Sequence, residues 1–177
     1  MRVCAVMAGG RGSRMGGVVK PALRVCGKPL IEHTLSTLSG LCSLVVVALS
    51  PYTRAALRDY CRLASVECIE TSGSGYVRDL STVLRVVRVR PLLVAPADAV
   101  VDDEGLRGTV SRAASLEASL VTLVSGGEPT GFTIFRGDGG DWVNVELPCY
   151  RDIDEPGDLV EAEKLCASMG ATRRETR

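Results

Sequence analysis

Residues 3–21, VCAVMAGGRGSRMGGVVKP, join a short apolar run to a loop that is rich in glycine. An apolar, valine-containing run of this length is typical of a strand that is buried on both faces. Five of the nine residues 9–17 are glycine, a density that disfavours regular structure and favours tight or left-handed backbone. Amides in such a loop approach a phosphate closely, and Arg11, Arg14 and Lys20 add positive charge. The stretch therefore predicts a buried first strand followed by a phosphate-binding loop, with a flexible surface turn as the plainer alternative.

Valine-rich runs and segments of helical period alternate along the next hundred residues. We predict strands at 2–7, 43–49, 66–69, 91–95 and 118–124, and helices at 29–40, 52–64, 76–88 and 104–117. This alternation predicts an α/β fold, a Rossmann-like and mostly parallel sheet with helices on both faces. Ligands of such sheets bind beyond the carboxyl ends of the strands.

The pattern changes after residue 125. Residues 126–147 read as turn, strand, glycine-rich turn and strand, which predicts an antiparallel β-hairpin. A final helix is expected at 155–169, because Glu155, Pro156 and Asp158 suit a first helical turn. We find no repeat or linker and predict one domain over residues 1–171, with a frayed tail at 172–177.

Composition excludes several classes of protein. The 177 residues include 21 Lys+Arg and 21 Asp+Glu, so the formal net charge is zero, which argues against nucleic acid as the main partner. Charge is nevertheless uneven along the chain: residues 1–31 hold six basic and no acidic side chains, whereas residues 138–163 hold nine acidic side chains and one basic. Folding that brings the two blocks together creates a site suited to an anion bound through a divalent metal.

The seven cysteines are odd in number and lack CxxC spacing, which indicates neither a zinc site nor a redox dithiol. We expect all seven to be structural thiols in a reducing, cytoplasmic compartment. The apolar stretch at the start spans about six residues, too short for a signal-peptide core, and no run approaches the roughly 20 apolar residues of a membrane span.

Two familiar phosphate loops do not match residues 8–17. A Walker loop requires GxxxxGK followed by Ser or Thr, and Lys28, which does follow a glycine, lies in the wrong frame. A dinucleotide fingerprint requires GxGxxG, and Gly10-Arg11-Gly12 is followed by glycine one residue too late. A different signature does fit: a strand, AGGxGxRMG, then Lys20-Pro21 and a GKPLI segment at 27–31.

In these features the chain resembles the MobA-like nucleotidyltransferases, the molybdenum-cofactor guanylyltransferases and their relatives. Within that superfamily residues 7–35, TSGSGYVRDL (71–80) and DIDEPGDLVEAEKL (152–165) look like the archaeal CobY-type GTP:adenosylcobinamide-phosphate guanylyltransferases. The resemblance implies nucleotide binding by residues of both loops, and places Lys20 near the α-phosphate with Arg14 and Asp98 as its catalytic partners. The nucleotide-binding residues are then Ala8, Gly9, Gly10, Arg11, Gly12, Ser13, Arg14, Lys20, Thr71, Ser72, Gly73 and Asp79.

Two carboxylates are candidate ligands for Mg²⁺. Asp98 follows the strand at 91–95, where doubly wound enzymes hold a metal, and its alternative role is a helix or turn cap. Asp152 either completes the Mg²⁺ shell or positions a lysine, while Asp154 is expected to cap the last helix. Asp102 and Asp103 are expected to cap the helix that follows them.

The segment TSGSGYVRDL faces the nucleobase in relatives. Ser72, Gly73 or Asp79 are candidates for reading the guanine edge, and for Asp79 a helix-surface position is an equal alternative. Tyr76 is expected to be a packing residue, and the lone His33 a structural histidine rather than a catalytic one.

The resemblance implies transfer of GMP from GTP to a corrinoid phosphate acceptor, adenosylcobinamide phosphate, with Mg²⁺ as cofactor and release of pyrophosphate. A molybdenum-cofactor guanylyltransferase and a cytidylyl or sugar-phosphate transferase are alternatives within the superfamily. A nucleotide-binding module without turnover is the alternative from another class. The oligomeric state stays open, with a homodimer among the options.

Overall fold

The first strand of the chain lies near the middle of a seven-stranded sheet. The computed structural model describes residues 1–137 and 139–164. Its strands are β1 (Val3–Met7), β2 (Arg24–Val25), β3 (Lys28–Pro29), β4 (Leu44–Leu49), β5 (Val66–Glu70), β6 (Leu92–Pro96), β7 (Ala99–Val101), β8 (Leu120–Ser125), β9 (Glu128–Phe135), β10 (Trp142–Glu146) and β11 (Tyr150–Asp152). Its helices are α1 (Leu30–Ser39), α2 (Arg54–Leu57), α3 (Tyr76–Val86), α4 (Asp103–Ala114) and α5, described over residues 156–164.

The main sheet has the order β10-β8-β9-β6-β1-β4-β5. β1 pairs in parallel with both β4 and β6, and β4 pairs in parallel with β5. Because these four strands run in one direction, the loops after β1, β4, β5 and β6 meet at one edge of the sheet. The predicted α/β architecture and mostly parallel sheet are confirmed.

Helices cover both faces of this sheet, as expected. Successive β1 side chains alternate, so that Cys4 and Val6 belong to the larger core and Val3 and Ala5 to the opposite one. α1 and α4 supply the larger core, with Ile31, Leu38, Leu106 and Val110 among its members, whereas α3 supplies the smaller core. No helix among the described residues is long and apolar enough to cross a membrane.

The antiparallel hairpin predicted within residues 126–147 is wrong, because its two strands, β9 and β10, do not pair with each other. β9 pairs antiparallel with β8 and with β6, while β10 pairs in parallel with β8. The hairpin turn is the pair Gly126 (φ 59°) and Gly127 (φ 85°), whose left-handed backbone suits a two-residue loop between strands. β9 then occupies the edges of both β6 and β8, so β10 takes the remaining edge of β8.

The predicted helix at 52–64 is shorter than expected. α2 spans four residues and continues as a 3₁₀ turn, Arg58–Arg62. The chain must return within a few residues to β5, and a disulfide between Cys61 and Cys68 ties the 3₁₀ turn to that strand. The final helix begins at residue 156, and the predicted part at 165–169 and the tail at 172–177 lie outside the described residues.

The expectation that all seven cysteines are thiols is wrong for five of the described ones, Cys4, Cys26, Cys42, Cys61 and Cys68. Disulfides join Cys4 to Cys42 and Cys61 to Cys68, with Cα–Cα distances of 5.9 Å and 5.5 Å. These distances suit a disulfide, and the folding of the chain creates them: Cys42 immediately precedes β4, the parallel neighbour of β1. Cys149 is an exposed thiol.

A third, smaller core holds the end of the chain against its beginning. Val25, Leu30, Val100, Ile153 and Ala162 pack together. β11 pairs antiparallel with β7, with Asp152 opposite Ala99, and the Ile153 amide donates to the Asp98 carbonyl at 3.1 Å. The acidic block near the C-terminus is thereby placed beside the basic block at the N-terminus, as the charge pattern predicts.

Candidate active site

A cleft of about 770 Å³ opens at the carboxyl ends of β1 and β6. It lies between the glycine-rich loop at residues 8–17 and the start of α3, at the sheet edge where ligands of doubly wound folds bind. Its lining residues are Met7, Ala8, Gly9, Gly10, Arg11, Gly12, Ser13, Arg14, Lys20, Pro21, Gly73, Ser74, Gly75, Tyr76, Asp79, Pro96, Asp98 and Asp154. Every predicted nucleotide-binding residue from Ala8 to Lys20 belongs to this lining.

The glycine-rich loop closes on the carbonyl of Gly12. That oxygen accepts from the amides of Met15 and Gly17, both at 2.9 Å. Gly12 has φ +62°, and a Cβ there would lie 1.9 Å from the carbonyl oxygen of Val18, so the position requires glycine. Within the described part of the chain, the amides of residues 9–12 have no hydrogen-bond partner. Unbonded amides at the end of a strand are the donors that a phosphate needs.

Lys20 lies between two carboxylates at the floor of the cleft. Its Nζ is 2.5 Å from Asp154 Oδ1 and 3.4 Å from Asp98 Oδ2, and only 12% of its side chain is exposed. Burial on its own lowers the pKa of Lys20, but the hydrogen bond to Asp154 and the charge of Asp98 outweigh it and raise the pKa above the ordinary lysine value. Lys20 is therefore a permanent cation in the cleft.

Carboxylates outnumber this one ammonium group. Burial raises the pKa of Asp98 above its usual range, although the Lys20 charge opposes the shift. Burial and the charges of Asp98 and Asp154 raise the pKa of Asp152 to about 6. Asp154 differs, because its hydrogen bond from Lys20 lowers its pKa. The surplus of negative charge makes this corner of the cleft attractive to a further cation.

The structure exchanges the expected positions of Asp152 and Asp154. Asp152 ends β11, lies outside the cleft lining, and accepts from the Ile153 amide at 3.0 Å. Asp154 lines the cleft and contacts both Lys20 and Arg14. Its expected capping role belongs to Asp158, whose Oδ2 accepts from the Asp154 and Glu155 amides at 2.9 Å and 2.7 Å. β11 ends at Asp152, so strand alternation does not set the direction of the Asp154 side chain.

The second loop is held by a buried carboxylate. Asp79 is 4% exposed, and its Oδ1 accepts from Ser72 Oγ at 2.9 Å and from the Gly73 amide at 3.1 Å. The helix-surface alternative for Asp79 is therefore wrong, because the residue fixes the loop and lines the cleft. Thr71 and Ser72 are not among the lining residues: Thr71 is buried and its Oγ1 donates to the Leu49 carbonyl at 3.0 Å, whereas Ser72 is exposed. We call residues 71–80 the base loop. Of its predicted nucleotide-binding residues, Gly73 and Asp79 line the cleft, and Ser74, Gly75 and Tyr76 of the same loop line it as well.

Two arginines of the glycine-rich loop have protein partners. Arg14 pairs with Asp154, and the Nε of Arg11 donates to the Gly73 carbonyl at 3.3 Å. The Arg11 guanidinium also lies over the ring of Tyr52, 4.7 Å from its centroid. Arg11 thus lies at the junction of the two loops.

The structure decides three further expectations. His33 is structural, since its Nε2 is 2.8 Å from the Val25 carbonyl oxygen. Asp102 caps α4 by accepting from the Gly105 amide at 2.7 Å. Tyr76 is not a packing residue, because it is 52% exposed at the cleft. Asp154 and Tyr76 line the cleft although the sequence predicts a capping and a packing role for them; both belong to segments in which the resemblance is strong.

Comparison with known proteins agrees with this geometry. Over 103 residues the chain is 36% identical to the adenosylcobinamide-phosphate guanylyltransferase of Methanocaldococcus jannaschii. The match covers 54% of this chain, and the chain spans about half the length of that relative.

Solved structures share the fold over nearly the whole chain. The inositol-1-phosphate CTP transferase of T. maritima superposes with a TM-score of 0.77 at 15% identity, covering 96% of both chains. The molybdopterin-guanine dinucleotide biosynthesis protein A of Archaeoglobus fulgidus gives a TM-score of 0.68 at 19% identity, covering 94% of this chain and 99% of that one. At these identities the likeness establishes the fold alone. The model of the MobA-like NTP transferase domain matches residues 4–153, and the chain therefore belongs to that nucleotidyltransferase family.

Proposed function

We propose that this protein transfers GMP from GTP to adenosylcobinamide phosphate and releases pyrophosphate. The observation that carries the proposal is the convergence of the glycine-rich loop, Lys20 and Asp98 on one cleft. The choice of GTP and of a corrinoid acceptor rests on the relative from M. jannaschii, whose name states adenosylcobinamide phosphate and guanylyl transfer.

The reaction requires positioning more than acid–base chemistry. A phosphate oxygen of the acceptor attacks the α-phosphorus of GTP, and the bond from that phosphorus to the β-phosphate oxygen breaks, so that pyrophosphate leaves with the electron pair. A phosphate monoester is already anionic at neutral pH, so the protein needs no strong general base. Catalysis then depends on holding two anions in line and on offsetting their charge.

Different residues of the cleft suit different parts of the nucleotide. The unbonded amides of residues 9–12 suit the β- and γ-phosphates, with Arg14 beside them. Lys20 supplies a desolvated positive charge for the α-phosphate, where negative charge develops. Gly73 and the loop held by Asp79 form the opposite wall, where the guanine edge is read. In this arrangement Arg14 leaves Asp154 when the phosphates bind.

The donor set suits Mg²⁺. Asp98 and Asp154 contact the same ammonium nitrogen, and Asp152 adds its charge nearby, so hard oxygen ligands and surplus negative charge coincide. Among the described residues no cluster of three ligating side chains forms a ready metal cage, which fits an ion that takes one or two carboxylates and completes its shell with water and phosphates. Asp98 would be the first ligand, with Asp152 or Asp154 as the second. When bound, Mg²⁺ neutralises phosphate charge.

A matrix of four NTPs against candidate acceptors, assayed with Mg²⁺ by pyrophosphate release, tests the proposal. We expect release only with GTP and adenosylcobinamide phosphate, and none from the Asp98→Ala variant. Release only with molybdopterin, with CTP or with a sugar phosphate would assign the chain to another member of the family. Nucleotide binding without release from any acceptor would identify a binding module.

The cytoplasmic location stays a prediction. Disulfides in proteins inside cells are typical of hyperthermophiles.

A further inference from the structure

Tyr52 lies outside the cleft lining but contacts the residue that joins its two loops. The Arg11 guanidinium carbon is 4.7 Å from the centroid of the Tyr52 ring, a distance typical of a cation–π contact. The same guanidinium donates through Nε to the Gly73 carbonyl at 3.3 Å. Tyr52, Arg11 and Gly73 therefore form one contact unit, which we call the Tyr52 junction.

The backbone beneath Tyr52 is held by buried hydroxyl groups. Ser50 and Thr53 are 2% and 0% exposed. The Tyr52 amide donates to Ser50 Oγ at 3.2 Å, the Ser50 amide donates to Thr53 Oγ1 at 3.1 Å, and the Thr53 amide donates to the Ser50 carbonyl at 3.1 Å. These hydrogen bonds fix the backbone position of Tyr52 and so limit where its ring can lie, although Tyr52 itself is 46% exposed.

The ring also packs directly on the base loop. A Cβ at Gly73 would lie 2.7 Å from Tyr52 Cε2, and Gly73 has φ +65°. Only a glycine permits this approach without displacing the ring. The ring therefore contacts the glycine-rich loop through Arg11 and the base loop through Gly73, and it links the two walls of the cleft.

We propose that Tyr52 is a positioning residue for nucleotide binding, because its ring holds the Arg11 guanidinium and through it the spacing of the two loops. The inference rests on the proposed binding of GTP in this cleft. A guanidinium has five N–H donors. Arg11 uses one on Gly73, and no hydrogen bond is made by its Nη groups within the described residues, so their N–H donors are available to a nucleotide in the cleft that Arg11 lines. Lys20 and Asp98 do not depend on Tyr52, so losing the ring changes affinity and not the chemical step.

Isothermal titration with GTP and Mg²⁺ tests this proposal. We expect Tyr52→Leu to weaken GTP binding about two- to fivefold, the range for an exposed cation–π contact, and Tyr52→Phe to bind like the wild type. In steady-state assays KM for GTP rises by the same factor and kcat stays unchanged. In an Arg11→Gln background the effect of Tyr52→Leu disappears, since the guanidinium that it positions is absent. Arg54→Gln removes a nearby surface arginine and serves as the control with unchanged binding.

The outcomes separate this inference from the proposed function. If wild-type protein binds GTP and Tyr52→Leu binds it equally well, only the inference is overturned; if the wild type binds no nucleotide, both are. Equal losses from Tyr52→Leu with and without Arg11 would also overturn it. Arg11→Gln tests it without changing Tyr52: it removes the cation that the ring holds, so it should weaken GTP binding at least as much as Tyr52→Leu does. Wild-type affinity in Arg11→Gln would refute the role of the guanidinium and with it the role of the ring.

Discussion

Replacement of Lys20 by methionine tests the centre of the cleft. Methionine keeps most of the apolar stem and removes the ammonium, which lies 2.5 Å from Asp154 and 3.4 Å from Asp98. Since only 12% of the Lys20 side chain is exposed, water replaces little of its charge at the proposed position of the α-phosphate. Loss of one such electrostatic contact in a desolvated site lowers turnover by at least about a hundredfold, near 2.7 kcal/mol.

The same substitution also lowers the free energy of unfolding, and the exposure of the two ion pairs sets the expected range. Asp98 is 29% and Asp154 38% exposed, so their pairs with Lys20 fall between surface and buried ion pairs. We expect the free energy of unfolding to fall by about 1–3 kcal/mol, because Asp98 then loses the cation that it faces and Asp154 keeps only the exposed Arg14. Arg54→Met is the matched control: its pair with Glu70 is 2.8 Å long but highly exposed, and its loss should leave the urea midpoint unchanged.

Two measurements on the folded Lys20→Met variant check this reasoning. Pyrophosphate release from GTP and adenosylcobinamide phosphate reports the catalytic part, and urea unfolding reports the structural part. Turnover within threefold of the wild type would remove Lys20 from the α-phosphate. An unfolding midpoint as insensitive as that of Arg54→Met would show that burial does not strengthen the Lys20 pairs.

Three further predictions concern the loop, the disulfides and the histidine. Gly12→Ala should lower the free energy of unfolding by at least about 1–2 kcal/mol, since it forces a Cβ into left-handed backbone and toward the Val18 carbonyl; Gly10→Ala, with nothing within 4 Å, should not change the melting temperature. A reductant should destabilise the protein in urea, with Cys4→Ser costing about 4 kcal/mol and Cys61→Ser about 2 kcal/mol, because the disulfides close loops of 38 and 7 residues; equal costs would contradict the loop-closure argument. Burial lowers the pKa of His33, so the unfolded chain binds its proton first and stability falls as pH drops below about 6.5 toward the folded-state pKa. His33→Gln should lose less stability between pH 7 and pH 5, and unfolding curves of equal pH dependence would exclude this role.

Features encoded in short stretches were predictable. A buried strand followed by five glycines, then Lys20-Pro21, indicates a phosphate loop because backbone conformation and amide exposure are local properties. The alternation of strands and helices indicates a parallel sheet because only helical crossovers join parallel neighbours. The capping role of Asp102 also follows from its position immediately before a helix.

Pairing between distant segments was not predictable from the pattern. Residues 142–146 have the composition of a strand, but which edge they join depends on which edges other strands have taken, and β9 had occupied β6 and β8. The disulfide between Cys4 and Cys42 has the same origin, since it requires β1 and β4 to be neighbours. No spacing within the sequence carries that information.

The sequence by itself determined an α/β fold with a glycine-rich, basic loop at residues 8–17, because propensity, glycine conformation and loop charge act over a few residues. The nucleotidyltransferase family followed from the resemblance of this loop and its neighbours to known proteins. Only the tertiary structure decided which carboxylate reaches Lys20. β11 pairs with β7 and ends at Asp152, and the chain then turns so that Asp154, not Asp152, enters the cleft. It likewise placed Arg11 on Tyr52 and Gly73, because side-chain contacts across the cleft depend on packing between elements that are far apart in the chain.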